Sequence, residues 1–242
     1  MRTILGIWAH PDDEVFTSGG FMANAVRNGD RVVCLHLTRG EAGLYFRQGY
    51  PAEDLARVRE RELAASLSVL GVTEHRLLDL PDGRLSFVPK EDVTARLLDT
   101  LVEVDPDVIL TFGADGFTGH RDHQTLSAWV TTATRLWNKP RARVLHTTVP
   151  GWKDSVVARL NEFNVFWPGY PQPSYRPSMT FRLEDDLLAL KIEALRAHAS
   201  QMEPLFDAYG ERFLRTVVGT EAFRIGPRPA FRSRLLLELK SA

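Results

Sequence analysis

The sequence predicts an α/β chain, a mostly parallel sheet with helices on both faces. Short apolar runs at 4–8, 31–37, 107–112 and 143–148 alternate with helical stretches, the pattern of strands buried on both faces and joined by crossover helices. Two clusters of histidine and acid residues each follow one of these runs. In an open α/β sheet ligands bind beyond the carboxyl ends of the strands, so this placement itself suggests a site.

The first run, Ile4 to Trp8, is a strand too short to cross a membrane, and it ends in Ala9-His10-Pro11-Asp12-Asp13-Glu14. Gly19-Gly20 and Phe21 to Val26 suggest a helix that stops at Asn28-Gly29. Arg31 to Leu37 is a second strand. The loop from Thr38 to about Ala52 follows it, with Arg39, Glu41, Tyr45, Phe46, Arg47 and Tyr50 suited to a ligand-gripping rim or to a solvated loop. Leu55, Val58, Leu63, Leu67 and Leu70 recur at helical spacing before Gly71, and Arg59 and Glu62 form an i,i+3 pair on that helix.

A short strand at 75–79, a turn at Pro81-Asp82-Gly83 and a helix at 91–104 lead to the strand 107–112. The loop 113–119 then delivers His120-Arg121-Asp122-His123 onto the start of a helix. Further on, the pattern gives a strand at 143–148, a helix at 152–163, and an irregular Pro- and Tyr-rich excursion at 167–177. A strand at 179–183, a helix at 184–198, one or two helical turns at 204–214 and a late strand at 221–225 complete the chain.

Thirty Lys and Arg against 31 Asp and Glu leave no electrostatic footprint for nucleic acid or an anionic membrane, so a small ligand is expected. The lone Cys34 sits in an apolar run, which rules out an intrachain disulfide and argues against thiolate metal ligation. Neither a signal-peptide pattern nor an apolar stretch of spanning length occurs, so the expectation is a soluble, cytoplasmic protein without stable membrane insertion. Homo-oligomerisation is left open.

His10 and Asp13 are three apart, as are His120 and His123, and imidazoles with carboxylates are the ligand types of hydrolytic zinc sites with an open position. Taken singly, the acids also suit helix N-caps, and short histidine motifs often arise without function. Their joint placement after two strands of one sheet favours a metal site. Neither a dinucleotide fingerprint nor a G-x-S-x-G elbow is present.

The motif Ala9 to Glu14, Thr38-Arg39-Gly40-Glu41-Ala42-Gly43, Arg59 with Glu62 before Leu70-Gly71, and Thr118 to His123 together resemble the LmbE-like (PIG-L) family of zinc-dependent de-N-acetylases. The likeness runs to about residue 130, with a looser echo at His198-Ala199-Ser200-Gln201. The resemblance implies a Rossmann-like fold that hydrolyses an acetamide, often on N-acetylglucosamine. The length of 242 residues suits a single catalytic domain over 1–242, with a Rossmann-like core at 1–150 and a C-terminal extension at 151–242 completing the site.

By the same resemblance His10, Asp13 and His123 are the zinc ligands, with Fe2+ or another divalent ion able to take the place. Asp12 is the general base, and a protonated His120 stabilises the oxyanion. Asp122 orients an imidazole and Glu14 supports from outside the ligand set. Some members carry a tyrosine where this chain has Thr118, which leaves that role open. Arg59, Asp82 and Arg47 are candidate substrate contacts. The alternatives are hydrolysis of a thiol conjugate or other non-acetyl amide, and a non-catalytic metal-binding homologue.

Overall fold

A computed structural model describes residues 1–43, 52–167 and 176–226. Its centre is a seven-stranded sheet in the order β3-β2-β1-β4-β5-β7-β6. Strands β1 (Thr3–Trp8), β2 (Arg31–His36), β3 (Glu74–Leu77), β4 (Val108–Phe112) and β5 (Arg143–Thr148) run parallel. β7 (Thr220–Ile225) lies antiparallel on β5, and β6 (Met179–Arg182) antiparallel on β7. The near-continuous burial of β1 and β2 is what a parallel sheet covered on both faces requires.

The helices are α1 (Asp13–Arg27), α2 (Ala52–Val69), α3 (Lys90–Val104), a short α4 (Gly116–Gly119), α5 (Arg121–Trp137), α6 (Asp154–Asn161), α7 (Asp185–Ala197) and α8 (Ala199–Val218). α3 packs on α5, while α7 packs on α1, α2 and α8. The chain leaves β1 toward β2 on one side and reaches β4 on the other, so the strand order reverses between β1 and β4. A crevice opens at such a switch point. Among the described residues no helix is long and apolar enough to cross a membrane.

Several elements differ from the sequence expectation. α1 starts at Asp13, not near Gly19, because Asp13 and Glu14 supply its acidic first turn and the Thr17 hydroxyl donates to Asp13 O at 2.7 Å. The glycine pair is interior to the helix. A Cβ on Gly20 would lie 2.2 Å from Leu183 Cδ2, so glycine there lets the extension pack against the backbone. The Glu221 carboxylate accepts from Gly20 N–H at 2.7 Å and Phe21 N–H at 2.8 Å, and pairs with the buried Lys191 ammonium at 2.6 Å.

The expected loop 113–119 contains the helical turn α4, with Phe117 at φ 62° inside it. α6 is shorter than expected, since Trp152 lies ahead of it and donates its indole N–H to Val217 O at 2.9 Å. α8 runs on both sides of the predicted turns despite Pro204. The carbonyl of Ser200, four residues before that proline, accepts from the Gln201 side-chain amide at 3.0 Å instead.

Candidate metal and catalytic site

His10 follows β1 immediately, and His120 and His123 follow β4 through α4, so the switch point brings the two sequence clusters together. His123 Nδ1 lies 3.0 Å from the Gly116 carbonyl, to which it donates. His10 Nε2 lies 2.9 Å from Asp82 Oδ1 and 3.4 Å from Asp122 Oδ2. With those nitrogens carrying the protons, the remaining nitrogens, His123 Nε2 and His10 Nδ1, present lone pairs to one another at 3.2 Å.

Asp13 closes the triangle, with Oδ1 3.3 Å from His123 Nε2 and Oδ2 3.4 Å from His10 Nδ1. The donor set therefore fits a cation, since two ring nitrogens and a carboxylate converge, and the acids that raise His10 leave room for a positive charge there. Tetrahedral zinc with bonds of about 2.0–2.2 Å separates its ligand atoms by about 3.3–3.6 Å, close to the 3.2, 3.3 and 3.4 Å of these contacts. His120 also brings a ring nitrogen within 4.8 Å of those of His10 and His123, and His10, Asp82 and Asp122 form a second such group.

These contacts set the titration of the site. Burial would depress the His10 imidazole, but Asp82, Asp122 and Asp13 raise it well above its ordinary value. Burial would raise Asp13, yet His123 and His10 hold it well below the usual carboxylate range. Asp82 is lowered as well: burial opposes its ionisation, but His10 outweighs it.

Asp12 points differently. Its backbone adopts φ 102°, and its carboxylate pairs with Arg59. Burial pushes its carboxyl up to about 6 against the pull of Arg59, whose Nη2 is 2.9 Å away. Glu14 is fully buried between His36 Nε2 at 3.0 Å and His198 Nε2 at 3.1 Å. Burial opposes its ionisation, but His198 and His36 hold it down at about 2, while Glu14 raises His198 against the effect of burial.

His120 caps α5: its Nδ1 accepts from Asp122 N–H at 3.2 Å. Burial lowers its pKa to about 3, with His10 and His123 adding to the effect. The Asp122 carboxylate accepts from Gly83 N–H at 2.8 Å and Leu85 N–H at 3.1 Å, so the imidazole it approaches is that of His10. The Trp167 ring stands edge-on to His120 at 5.4 Å, and its backbone N–H donates to Thr118 O at 2.8 Å.

Two of the three candidate substrate contacts are engaged within the protein. Arg59 is 3 % exposed and donates to Gly40 O at 2.7 Å, Pro11 O at 2.5 Å and Asp12. Gly40 sits at φ 73° directly under that guanidinium, where a Cβ would lie 2.2 Å from Nη1. Asp82 accepts from Ala42 N–H at 2.8 Å besides facing His10. Arg47, with Tyr45, Phe46 and Tyr50, lies outside the described residues. In the part of that loop described, Arg39 pairs with Asp79 at 2.9 Å and Glu41 accepts from Asp82 N–H at 2.8 Å.

Sequence reasoning did not single out His36 or give His198 a role. His36 is hidden inside an apolar strand, and the only signal for His198 was the short echo with Ser200 and Gln201. Glu62 reads as half of a helix pair, yet its carboxylate accepts from Ser200 N–H and the Ser200 hydroxyl, each at 2.7 Å.

Residues 5–134, more than half of the chain, match the PIG-L family, GlcNAc-PI de-N-acetylase. The chain belongs to this family. Among curated relatives, a 1D-myo-inositol 2-acetamido-2-deoxy-alpha-D-glucopyranoside deacetylase of Kineococcus radiotolerans is 35% identical, covering 86% of this chain and 71% of the relative. An N,N'-diacetylchitobiose deacetylase from Pyrococcus horikoshii shares the fold, with a TM-score of 0.71 and 22% identity over 93% of this PIG-L chain and 84% of its own. The 4-carboxy-2-hydroxymuconate hydratase GalB of Pseudomonas putida KT2440 also shares it, at a TM-score of 0.64 and 17% identity over 96% and 99%. The fold alone thus does not fix the chemistry.

Proposed function

We propose that this PIG-L family chain is a metal-dependent deacetylase that hydrolyses the acetamide of an N-acetylglucosamine-type small molecule. The observation that carries this reading is the facing pair of imidazole lone pairs, His10 Nδ1 and His123 Nε2, closed by Asp13 and flanked by a carboxylate free of the triangle. The residues that would hold the ion are His10, Asp13 and His123. Zinc is the ion proposed, with Fe2+ acceptable to the same nitrogen and oxygen donors. When bound, such an ion polarises an acyl oxygen and lowers the pKa of water from 15.7 toward about 7.

The protein's own groups do the rest. Asp12, with its carboxyl raised to about 6, is ionised at neutral pH yet basic enough to take a proton from the attacking water. His120 donates from Nε2 to the oxygen that gains charge as the tetrahedral carbon forms. It acts as a neutral imidazole rather than the imidazolium the resemblance suggested. Its Nδ1 must keep a lone pair for Asp122 N–H, and burial beside two other imidazoles disfavours the charged ring. The Asp12 proton then passes to the departing amine. Arg59 is assigned to hold Asp12 and the Pro11 carbonyl, and Asp82 and Asp122 to orient His10.

A purely metal-binding role gives no reason for Asp12, adjacent to a ligand, to be held at φ 102° with a raised pKa. The relatives named as 1D-myo-inositol 2-acetamido-2-deoxy-alpha-D-glucopyranoside deacetylases support the sugar class. The catalytic unit is proposed to be the whole of 1–242, because Glu14 and α1 take partners from His198 and Glu221 in the extension. A cytoplasmic setting belongs to the same proposal, on the balanced charge and the single buried thiol. The test is zinc-dependent release of primary amine from 1D-myo-inositol 2-acetamido-2-deoxy-α-D-glucopyranoside and from N,N'-diacetylchitobiose. Amine release from either is expected; none from either, by protein carrying one ion per chain, would overturn the sugar-deacetylase reading.

A further inference from the structure

Glu14 lies behind the site with 0 % exposure, and its two oxygens are divided between distant parts of the chain. Oε1 accepts from His198 Nε2 at 3.1 Å. Oε2 accepts from His36 Nε2 at 3.0 Å and from the backbone N–H of Asp12 at 3.0 Å. That last bond reaches a residue with a strained backbone, since φ 102° and ψ −28° are unfavourable for a non-glycine residue and persist only when neighbours impose them.

We infer that His198, in the C-terminal extension, is a positioning residue for Asp12, acting through Glu14. The inference rests on the proposed role of Asp12 as the base. Glu14 fixes the plane of the peptide that carries Asp12 and so the direction in which its carboxylate leaves the backbone. His198 fixes Glu14.

The ring of His198 makes its one hydrogen bond among the described residues through Nε2, to Glu14. Among the described residues its Nδ1 is buried with no hydrogen-bond partner, so the nitrogen that carries the proton is the one on Glu14. Its backbone is held on both sides, by N–H donation to Leu195 O at 3.1 Å and by acceptance from Gln201 N–H at 2.9 Å and Met202 N–H at 2.8 Å. Glu62 on α2 anchors the next turn through Ser200. A rigid donor thus meets a buried carboxylate that would otherwise lose one of its three partners and reorient to replace it.

An ordinary buried ion pair would predict loss of stability alone. A positioning role predicts a separation of kinetic effects. His198→Leu, which fills the space without a donor, is expected to lower kcat on the inositol N-acetylglucosaminide roughly 10-fold to 100-fold while keeping KM within about twofold and one metal per chain. His198→Gln, whose amide N–H can stand where Nε2 stood, is expected to recover most of that loss. Amide exchange at Asp12 gives a readout independent of turnover. It should quicken in His198→Leu and stay slow in His198→Gln.

Wild-type kcat and wild-type Asp12 exchange in His198→Leu would overturn the inference. So would a fall in kcat matched by equal loss of metal and thermal stability and left unrescued by glutamine. Asp12→Ala separates the two levels. If it retains turnover, the base assignment fails whatever His198 does; if it abolishes turnover while His198→Leu is silent in both readouts, only this inference fails.

Discussion

His10 Nδ1 and His123 Nε2 face each other at 3.2 Å because each ring has given its other nitrogen away, to Asp82 and to the Gly116 carbonyl. The carboxylate of Asp82 is therefore as much a part of the proposed centre as the residues proposed to hold the ion. Asp82→Asn removes the charge that fixes the His10 tautomer and raises its basicity. Metal affinity is expected to fall about 10-fold to 100-fold, measured by competition with a chelator. An unchanged affinity would assign Asp82 to the substrate instead.

Asp12 titrates near 6, so kcat/KM should rise with pH through about 6 as the base loses its proton. Arg59 pulls that value down. Arg59→Gln removes the positive charge, and the acidic limb of the profile should move to higher pH. If the limb stays in place and only KM rises, Arg59 serves the substrate and not Asp12.

Lys191 and Glu221 form a buried ion pair with 0 % and 1 % side-chain exposure. Lys191→Met leaves an uncompensated buried carboxylate and should cost about 3–5 kcal/mol in urea unfolding. The double change with Glu221→Gln should recover part of that cost, since the Gln side-chain oxygen can still accept from Gly20 or Phe21 N–H. A single variant as stable as wild type would show that the amide bonds alone hold the carboxylate.

Glu14 titrates at about 2 in the folded protein against an ordinary value of 4.5. A depressed acid stabilises the fold above its unfolded pKa and loses that contribution as pH falls through the folded one. Between about pH 4.5 and 2 the wild type should lose stability more steeply than Glu14→Gln, followed by thermal melting at each pH. Parallel curves would remove Glu14 as the cause.

Much of this was legible in the residues. Buried strands show themselves as apolar runs, and β1, β2, β4 and β5 fall where their runs lie. His10, Asp13, His120 and His123 could be paired in advance because strand ends, unlike loops, have a fixed place in a parallel sheet. The roles of Arg59 and Asp82 were not legible, because a guanidinium or a carboxylate looks the same whether it faces solvent or a neighbouring backbone. Only their bonds to Pro11, Gly40, Ala42 and His10 distinguish the two. Nor could α1 be placed correctly, because the amides of its Gly20 and Phe21 find an acceptor 201 and 200 residues away.

That same Glu221 contact bears on the order in which the protein is made. The carboxylate that binds the Gly20 and Phe21 amides of the helix opening with Asp13 is synthesised 201 and 200 residues after them. Contacts of such separation are slow to close because the intervening chain must first be ordered. The nascent chain thus holds every candidate ligand by residue 123 but cannot lock α1 beneath them until β7 is out. A chain stopped short of Glu221 carries the whole motif set and lacks the clasp that seats it.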